Sequence, residues 1–341
     1  MNSATFRMPP EWAPHERTWM AWPGPNPTFT NDEELAQARS AWASVARAVR
    51  RFEPVTVVVG PGQLDSARAL LGDAIDLVER DLDDAWMRDI GPTFVSDGTA
   101  LAAVNWVFNG WGAQDWARWE HDSKIACHVA DLAGVPVHDS ALVNEGGAIH
   151  VDGEGTVLLT DTVQLGAGRN PEWSRAEVEA EIHAKLGTTK AIWLPHGLTG
   201  DYGLYGTQGH VDIVAAFARP GVVVVHSQQD PAHPDFERSR MYVDILSRAT
   251  DAKGRQLEVV EIPAPTVLKD EEGDWVDYSY INHYLCNGGV VLCGFDDPND
   301  EIAAGIFRRL FPERIVTLVD ARAIFAGGGG IHCITQQQPK V

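Results

Sequence analysis

The chain is short of cysteine, of basic residues and of long apolar runs, and each shortage excludes something. Its four cysteines, Cys127, Cys286, Cys293 and Cys333, include no Cys-x-x-Cys pair. Thioredoxin-type redox and zinc-ribbon spacings are therefore missing, and a disulfide framework does not suit a chain of 341 residues. Lys and Arg total 27 against 48 Asp and Glu, a formal net charge of −21. That field repels nucleic acid and anionic lipid, so neither is expected as a partner. The longest β-branched runs, such as Val222 to Val225, are far below the roughly 20 residues a membrane-spanning helix needs. The first thirty residues carry no apolar stretch suited to export. Cytoplasmic localisation and no membrane partner are the expectations. No Pro/Gly/Ser linker or composition shift divides the chain, which is expected to form one domain over residues 1–341.

What is present is an alternation of two patterns. Short β-branched runs at 55–59, 157–160, 222–226, 290–293 and 315–319 predict buried strands. Between them, residues 32–52, 173–186, 236–249 and 300–310 place apolar side chains at helical spacing. Cys127 falls in a further helix predicted over 115–132. The alternation predicts an α/β protein. Periodicity alone leaves a doubly wound sheet, a barrel and a propeller-like ring all open.

Chemistry concentrates in four segments. Gly327 to Gly330 precede Ile331-His332-Cys333, and a cysteine after such a turn lies close to backbone N–H groups, where a reactive thiolate can be held. A buried, inert thiol is the competing reading. His332 would point away from Cys333 in an extended segment. The glycines lack the Gly-Lys-Ser/Thr ending of a phosphate loop, and no cofactor is expected. Gly209-His210-Val211-Asp212-Ile213 predicts a strand with His210 and Asp212 on one face and Val211 and Ile213 in the core. Zinc on His210, Asp212 and Cys333 would want a fourth ligand that no spacing supplies, so no metal is expected. Asp81, Asp83, Asp84, Trp86 and Asp89 precede Gly91-Pro92. Asp89 belongs to the chain break and Trp86 to an apolar wall, while the other three acids predict a solvated turn. Glu145 precedes Gly146-Gly147 and an extended run. A thiol, an imidazole and three carboxylates suit a guanidinium, which is planar and cationic and offers five donors in a fork. A small cationic guanidine is the expected partner.

The segments WMRDIGPTFV, EGGAIHVDGEGT, GRNPEW, KAIWLP, GHVD, DAKGR, SYINHYLCNGG and GGGGIHCITQQQP, with the opening RMPPEWAPHERTWMAWP, resemble the agmatine deiminase and bacterial-type peptidylarginine deiminase family from about Met8 to Pro339. The resemblance implies a pentein fold, a five-bladed pseudo-symmetric α/β propeller around a central active site. It implies Cys333 as nucleophile, His210 as general acid and base, and Asp89 and Asp212 as the carboxylates that hold the guanidinium. Glu145 orients the reacting groups and Trp86 walls the substrate channel. The implied reaction converts agmatine and water to N-carbamoylputrescine and ammonia through an amidino-cysteine. A homodimer is the family-level expectation. The stretch Tyr205-Gly206-Thr207-Gln208 departs from relatives that carry an acid ahead of the Gly-His-x-Asp motif, leaving Asp201 or another acid to substitute. Rival readings are a deiminase for arginine-derived or peptidyl-arginine substrates, an amidinotransferase, and a non-catalytic polyamine-binding protein.

Overall fold

The computed structural model describes residues 6–270 and 273–341. Among them lie five small sheets built on one plan: an outer first strand antiparallel to a second, then a helix, then a third strand parallel to the second. One sheet holds β4 (Thr93–Ser96), β5 (Leu101–Val107) and β6 (Val137–Val143). The next holds β7 (His150–Val151), β8 (Thr156–Thr160) and β9 (Lys190–Leu194). A third holds β10 (Ala215–Arg219), β11 (Val222–Ser227) and β12 (Glu258–Pro263), and a fourth β13 (Tyr284–Cys286), β14 (Gly289–Gly294) and β15 (Ile315–Asp320). The remaining sheet joins the two ends of the chain. Its first strand is β16 (Gln336–Pro339), antiparallel to β1 (His15–Ala21), which runs parallel to β2 (Val55–Val59). An added edge strand, β3 (Asp76–Glu79), completes it. Pairing the last strand with the first closes the ring.

The connecting helices follow local signals. Asp32–Arg50 starts at Asn31, whose side chain accepts from the backbone N–H groups of Glu33 and Glu34, and its first turn carries three acids. Arg175–Leu186 opens on a reciprocal Ser174–Glu177 capping box and stops at Gly187 in the left-handed region, φ 65°. It begins two residues later than its apolar spacing suggests because Ser174 takes the cap. Asp235–Arg248 and Asp300–Leu310 fall within a residue of expectation. The helix predicted over 115–132 is shorter. It spans Ile125–Ala133, after turns and a short 3-10 segment at Asp122–Lys124. Residues 115–121 include Trp116 and Trp119, whose rings pack on the core without helical backbone. No helix among the described residues is long and apolar enough to cross a membrane.

Candidate active site

The repeat decides where the chemistry sits. In every sheet the first strand is preceded by a turn at the centre of the ring, and each of these turns supplies a polar side chain. Asp89, in the helical turn Met87–Ile90, leads into β4; Glu145, before the 3-10 turn Gly146–Ala148, leads into β7. His210 and Asp212 lead into β10, Asn282 into β13, and Cys333 into β16. Five segments scattered along the sequence thus converge. All six side chains are buried, none more than 5% exposed.

The convergence is measurable at Gly147. A Cβ there would stand 2.5 Å from His210 Nδ1 and 3.0 Å from both Asp212 Oδ2 and Asp89 Oδ1. Only glycine lets three titratable groups gather around one backbone atom. The Gly147 N–H donates to Asp89 Oδ1 at 2.9 Å, and Trp111 Nε1 donates to Asp89 Oδ2 at 2.9 Å. Cys333 Sγ lies 3.6 Å from Asp212 Oδ2 and receives Asn282 Nδ2 at 3.2 Å. Trp86, buried in the core, and Cys333 both abut Gly329.

Two expectations about local backbone are corrected. His210–Asp212 is no strand: Val211–Ile213 is a 3-10 turn closed by Val214 N–H to Val211 O at 2.8 Å. The turn buries Val211 and Ile213 as the alternation suggested, but it buries His210 and Asp212 equally. The segment around Cys333 is likewise a turn, and His332 does not face away. Its Nδ1 lies 2.7 Å from Asp212 Oδ2, the oxygen that also meets Cys333. A third correction concerns Asp84, which is buried and takes Thr28 Oγ1–H at 2.8 Å and the Ala85 N–H at 2.8 Å.

The electrostatics follow from burial and pairing. Burial works against a charged His210, yet Asp89, Glu145 and Asp212 outweigh it and raise its pKa to about 9. His210 Nε2 donates to Glu145 Oε2 at 3.3 Å; Nδ1 has no hydrogen-bond partner among the described residues and stands 3.9 Å from Asp89 Oδ2. Glu145 is desolvated too, but Arg169 Nε, 2.9 and 3.0 Å from its two oxygens, and His210 hold it below the usual carboxylate range. Burial also opposes ionisation of Asp212, and His332 reverses that, so its pKa is lowered. Its Oδ1 is buried without a partner. Asp89 is pushed up by desolvation and by Asp212 and Glu145, against His210. Burial raises the Cys333 thiol well above its ordinary range, and Asp212 and Asp89 add to this.

Several of these residues carry no signal from their own type and spacing. Asn282, Arg169, Arg88, Glu11 and Trp111 are remote in sequence from Cys333. Four of them lie within segments that carry the family resemblance (SYINHYLCNGG, GRNPEW, WMRDIGPTFV, RMPPEW), which was the available clue. Asp201 is no substitute acid for the substrate: its carboxylate accepts from the backbone N–H groups of Thr207, Gly209 and His210. Those bonds hold the approach to His210. At Gly206 a Cβ would stand 2.1 Å from the Asp201 main-chain O, so no acid fits there.

Outside the centre, a cavity of about 770 Å³ is walled by Gly327, Gly328, Phe325, Tyr205 and Gly206. Its lining includes the carboxyl groups of Glu34, Asp270, Asp274 and Asp277 and, among the described residues, no lysine or arginine. Desolvation, with a contribution from Asp201, pushes the Asp277 carboxyl up to about 8.

A ring of five ββαβ units with a thiol, an imidazole and carboxylates at its centre is the architecture of the guanidine-modifying penteins. Residues 7–339 match the Porphyromonas-type peptidyl-arginine deiminase family, and the chain belongs to it. It is 83% identical to a provisionally named agmatine deiminase of Streptomyces coelicolor, over 98% of this chain and 99% of that one. It is 43% identical to the agmatine deiminase of Ectopseudomonas mendocina, over 98% and 95%. Among solved structures, agmatine deiminase of Enterococcus faecalis superposes with a TM-score of 0.93 at 34% identity, covering 100% of this chain and 99% of that one.

Proposed function

We propose that the chain, acting as one domain, hydrolyses the guanidinium of agmatine to an ureido group and ammonia, with Cys333 as nucleophile. The observation that carries this is a pair of orphaned buried atoms: Asp212 Oδ1, on the carboxylate that meets the Cys333 thiol, and His210 Nδ1, which gathers with that carboxylate around Gly147. Leaving such atoms without partners is costly. A guanidinium donates to the first with its N–H fork and presents its leaving nitrogen to the second.

The charges support a definite sequence. Glu11, Glu145, Asp89 and Asp212 face Arg88, Arg169, His332 and a protonated His210, so the centre is balanced while Cys333 is a thiol. An entering guanidinium adds one positive charge and favours release of the Cys333 proton to water, the proton that ammonia takes up once it has left. Sulfur then bonds to the central carbon, giving a neutral tetrahedral adduct. His210 delivers its Nδ1 proton to one amino group, the C–N bond breaks, ammonia leaves, and a cationic amidino-thioether remains on Cys333. Neutral His210 takes a proton from water as hydroxide adds to carbon. The C–S bond breaks, the hydroxyl proton passes to sulfur, and the ureido product leaves with His210 protonated again.

The choice of agmatine rests on the outer cavity. The carboxylates of Glu34, Asp270 and Asp274, with no lysine or arginine among the described lining residues, favour a cationic tail over the carboxylate that free arginine would bring. Cytoplasmic residence and a homodimer accord with this reading. The test is ammonia and ureido release from agmatine, arginine, peptidyl-arginine and an amine-supplemented reaction, with intact-mass analysis of a slow variant. The expected results are turnover of agmatine foremost, a substrate-derived adduct on Cys333, and a loss of at least ~10⁴-fold in Cys333→Ala. Full activity in Cys333→Ala, or binding of every guanidine without turnover, would end the reading.

A further inference from the structure

His332, next to the nucleophile in sequence, is bound at both ends of its ring. Nδ1 lies 2.7 Å from Asp212 Oδ2 and Nε2 lies 2.8 Å from Glu11 Oε2. A neutral imidazole has one N–H and one lone pair, so it can satisfy only one of two carboxylates; the doubly protonated ring satisfies both. All three side chains are buried, none more than 5% exposed. Behind them, Arg88 Nη2 stands 3.7 Å from the same Glu11 oxygen, while its Nε donates to His332 O at 3.2 Å and its Nη1 to Gln337 Oε1 at 2.7 Å. The far end of the chain of contacts is the reacting centre: Asp212 Oδ2 meets Cys333 Sγ at 3.6 Å, and Oδ1 is free.

We propose that Glu11 and His332 are positioning residues for the deimination: Glu11 holds His332 as an imidazolium, and the imidazolium fixes Asp212 so that one oxygen faces the thiol and the other stays free for the guanidinium. The inference rests on the reaction proposed above. Without the clamp, Asp212 could rotate and pair with His210, closing the place the substrate takes. The groups facing the ring are Glu11, Asp212, Arg88, His150 and His283. Burial and Arg88 oppose the positive charge, and the two carboxylates outweigh them, so the His332 pKa is raised. His150 and His283 are both pushed down, to about 3 and about 4, chiefly by burial, and stay neutral. His332 is thus the imidazolium of this cluster. A cavity of about 10 Å³ beside His150 and Arg88 admits one water at most, so bulk solvent does not compete for the ring.

The test uses the full-length enzyme and two readouts. In ¹⁵N NMR of the unmodified protein at pH 7.5, both His332 ring nitrogens are expected to carry protons; a neutral tautomer would overturn the proposal whether or not any variant folds. Glu11→Gln is expected to lower kcat/KM for agmatine by about 10- to 100-fold, by analogy with groups that orient a metal-bound ligand. It should also bring the alkaline limb of the pH–rate profile down by a unit or more as His332 loses its proton, and Glu11→Asp should restore most of both. A Glu11→Gln enzyme with wild-type rate and profile would sink the relay and leave the deimination intact, whereas a wild-type enzyme inert towards all guanidines would remove the reaction itself.

Discussion

Two imidazoles share the buried centre and end in opposite situations. His332 has a carboxylate on each nitrogen, Glu11 at 2.8 Å and Asp212 at 2.7 Å. His210 has one, Glu145 at 3.3 Å, and its other nitrogen is buried and unpaired. Both rings are raised in pKa by surrounding carboxylates that overcome burial. The difference lies in completion. A ring with both donors occupied holds a charge in place, while a ring with a free N–H in a pocket can give that proton away. Residue type does not separate them, and neither does burial.

The sharpest way to break that comparison is to remove each ring. His210→Asn is expected to lower kcat about 10³-fold, the range of a general acid and base, well beyond the loss expected when the His332 clamp is weakened. Equal losses from His210→Asn and Glu11→Gln, measured by ammonia release, would erase the distinction.

A smaller effect concerns stability. The His210 pKa rises from 6.5 to about 9 on folding. Its stabilising contribution is therefore complete below the unfolded pKa of about 6.5 and disappears as pH climbs through about 9, a change on the order of a few kcal/mol. Urea midpoints should fall between pH 7 and 9.5 in the wild type, and more shallowly in His210→Asn. Parallel slopes would mean that the ring is not held charged.

The smallest expected effect lies outside both rings, on the cavity wall. Asp277, pushed up to about 8 by desolvation, has no lysine or arginine beside it in the described cavity lining, and an entering cation would favour its ionised form. Asp277→Asn should raise KM for agmatine about two- to fivefold, the size of a partly solvated ion pair, with a lesser effect on kcat. An unchanged KM would move tail recognition elsewhere.

The legible strands were the apolar ones. Residues 55–59, 157–160, 222–226 and 290–293 match β2, β8, β11 and β14, which have neighbours on both sides and are buried throughout. Among the edge strands, residues 315–319 match β15, whose run is apolar although both its ends are exposed, while β3 and β12 gave no such run. The site was legible in the same uneven way. Cys333, His210, Asp89, Asp212 and Glu145 stand beside glycines or chain breaks that show in the sequence. Asn282, Arg169 and Glu11 are ordinary polar residues in their own surroundings, and only contacts with partners far away in sequence give them work.

The amino-acid sequence by itself determined the α/β alternation, the thiol, imidazole and three carboxylates that meet at the centre, and the acidic net charge. Tertiary structure alone decided that Asp201 is tied to the backbone, that His332 turns towards Asp212, and which of two histidines keeps a nitrogen free. The physical reason is that propensity and local spacing act over a few residues. A hydrogen bond between residues 120 positions apart, as between Asp212 and His332, exists only once the ring has closed.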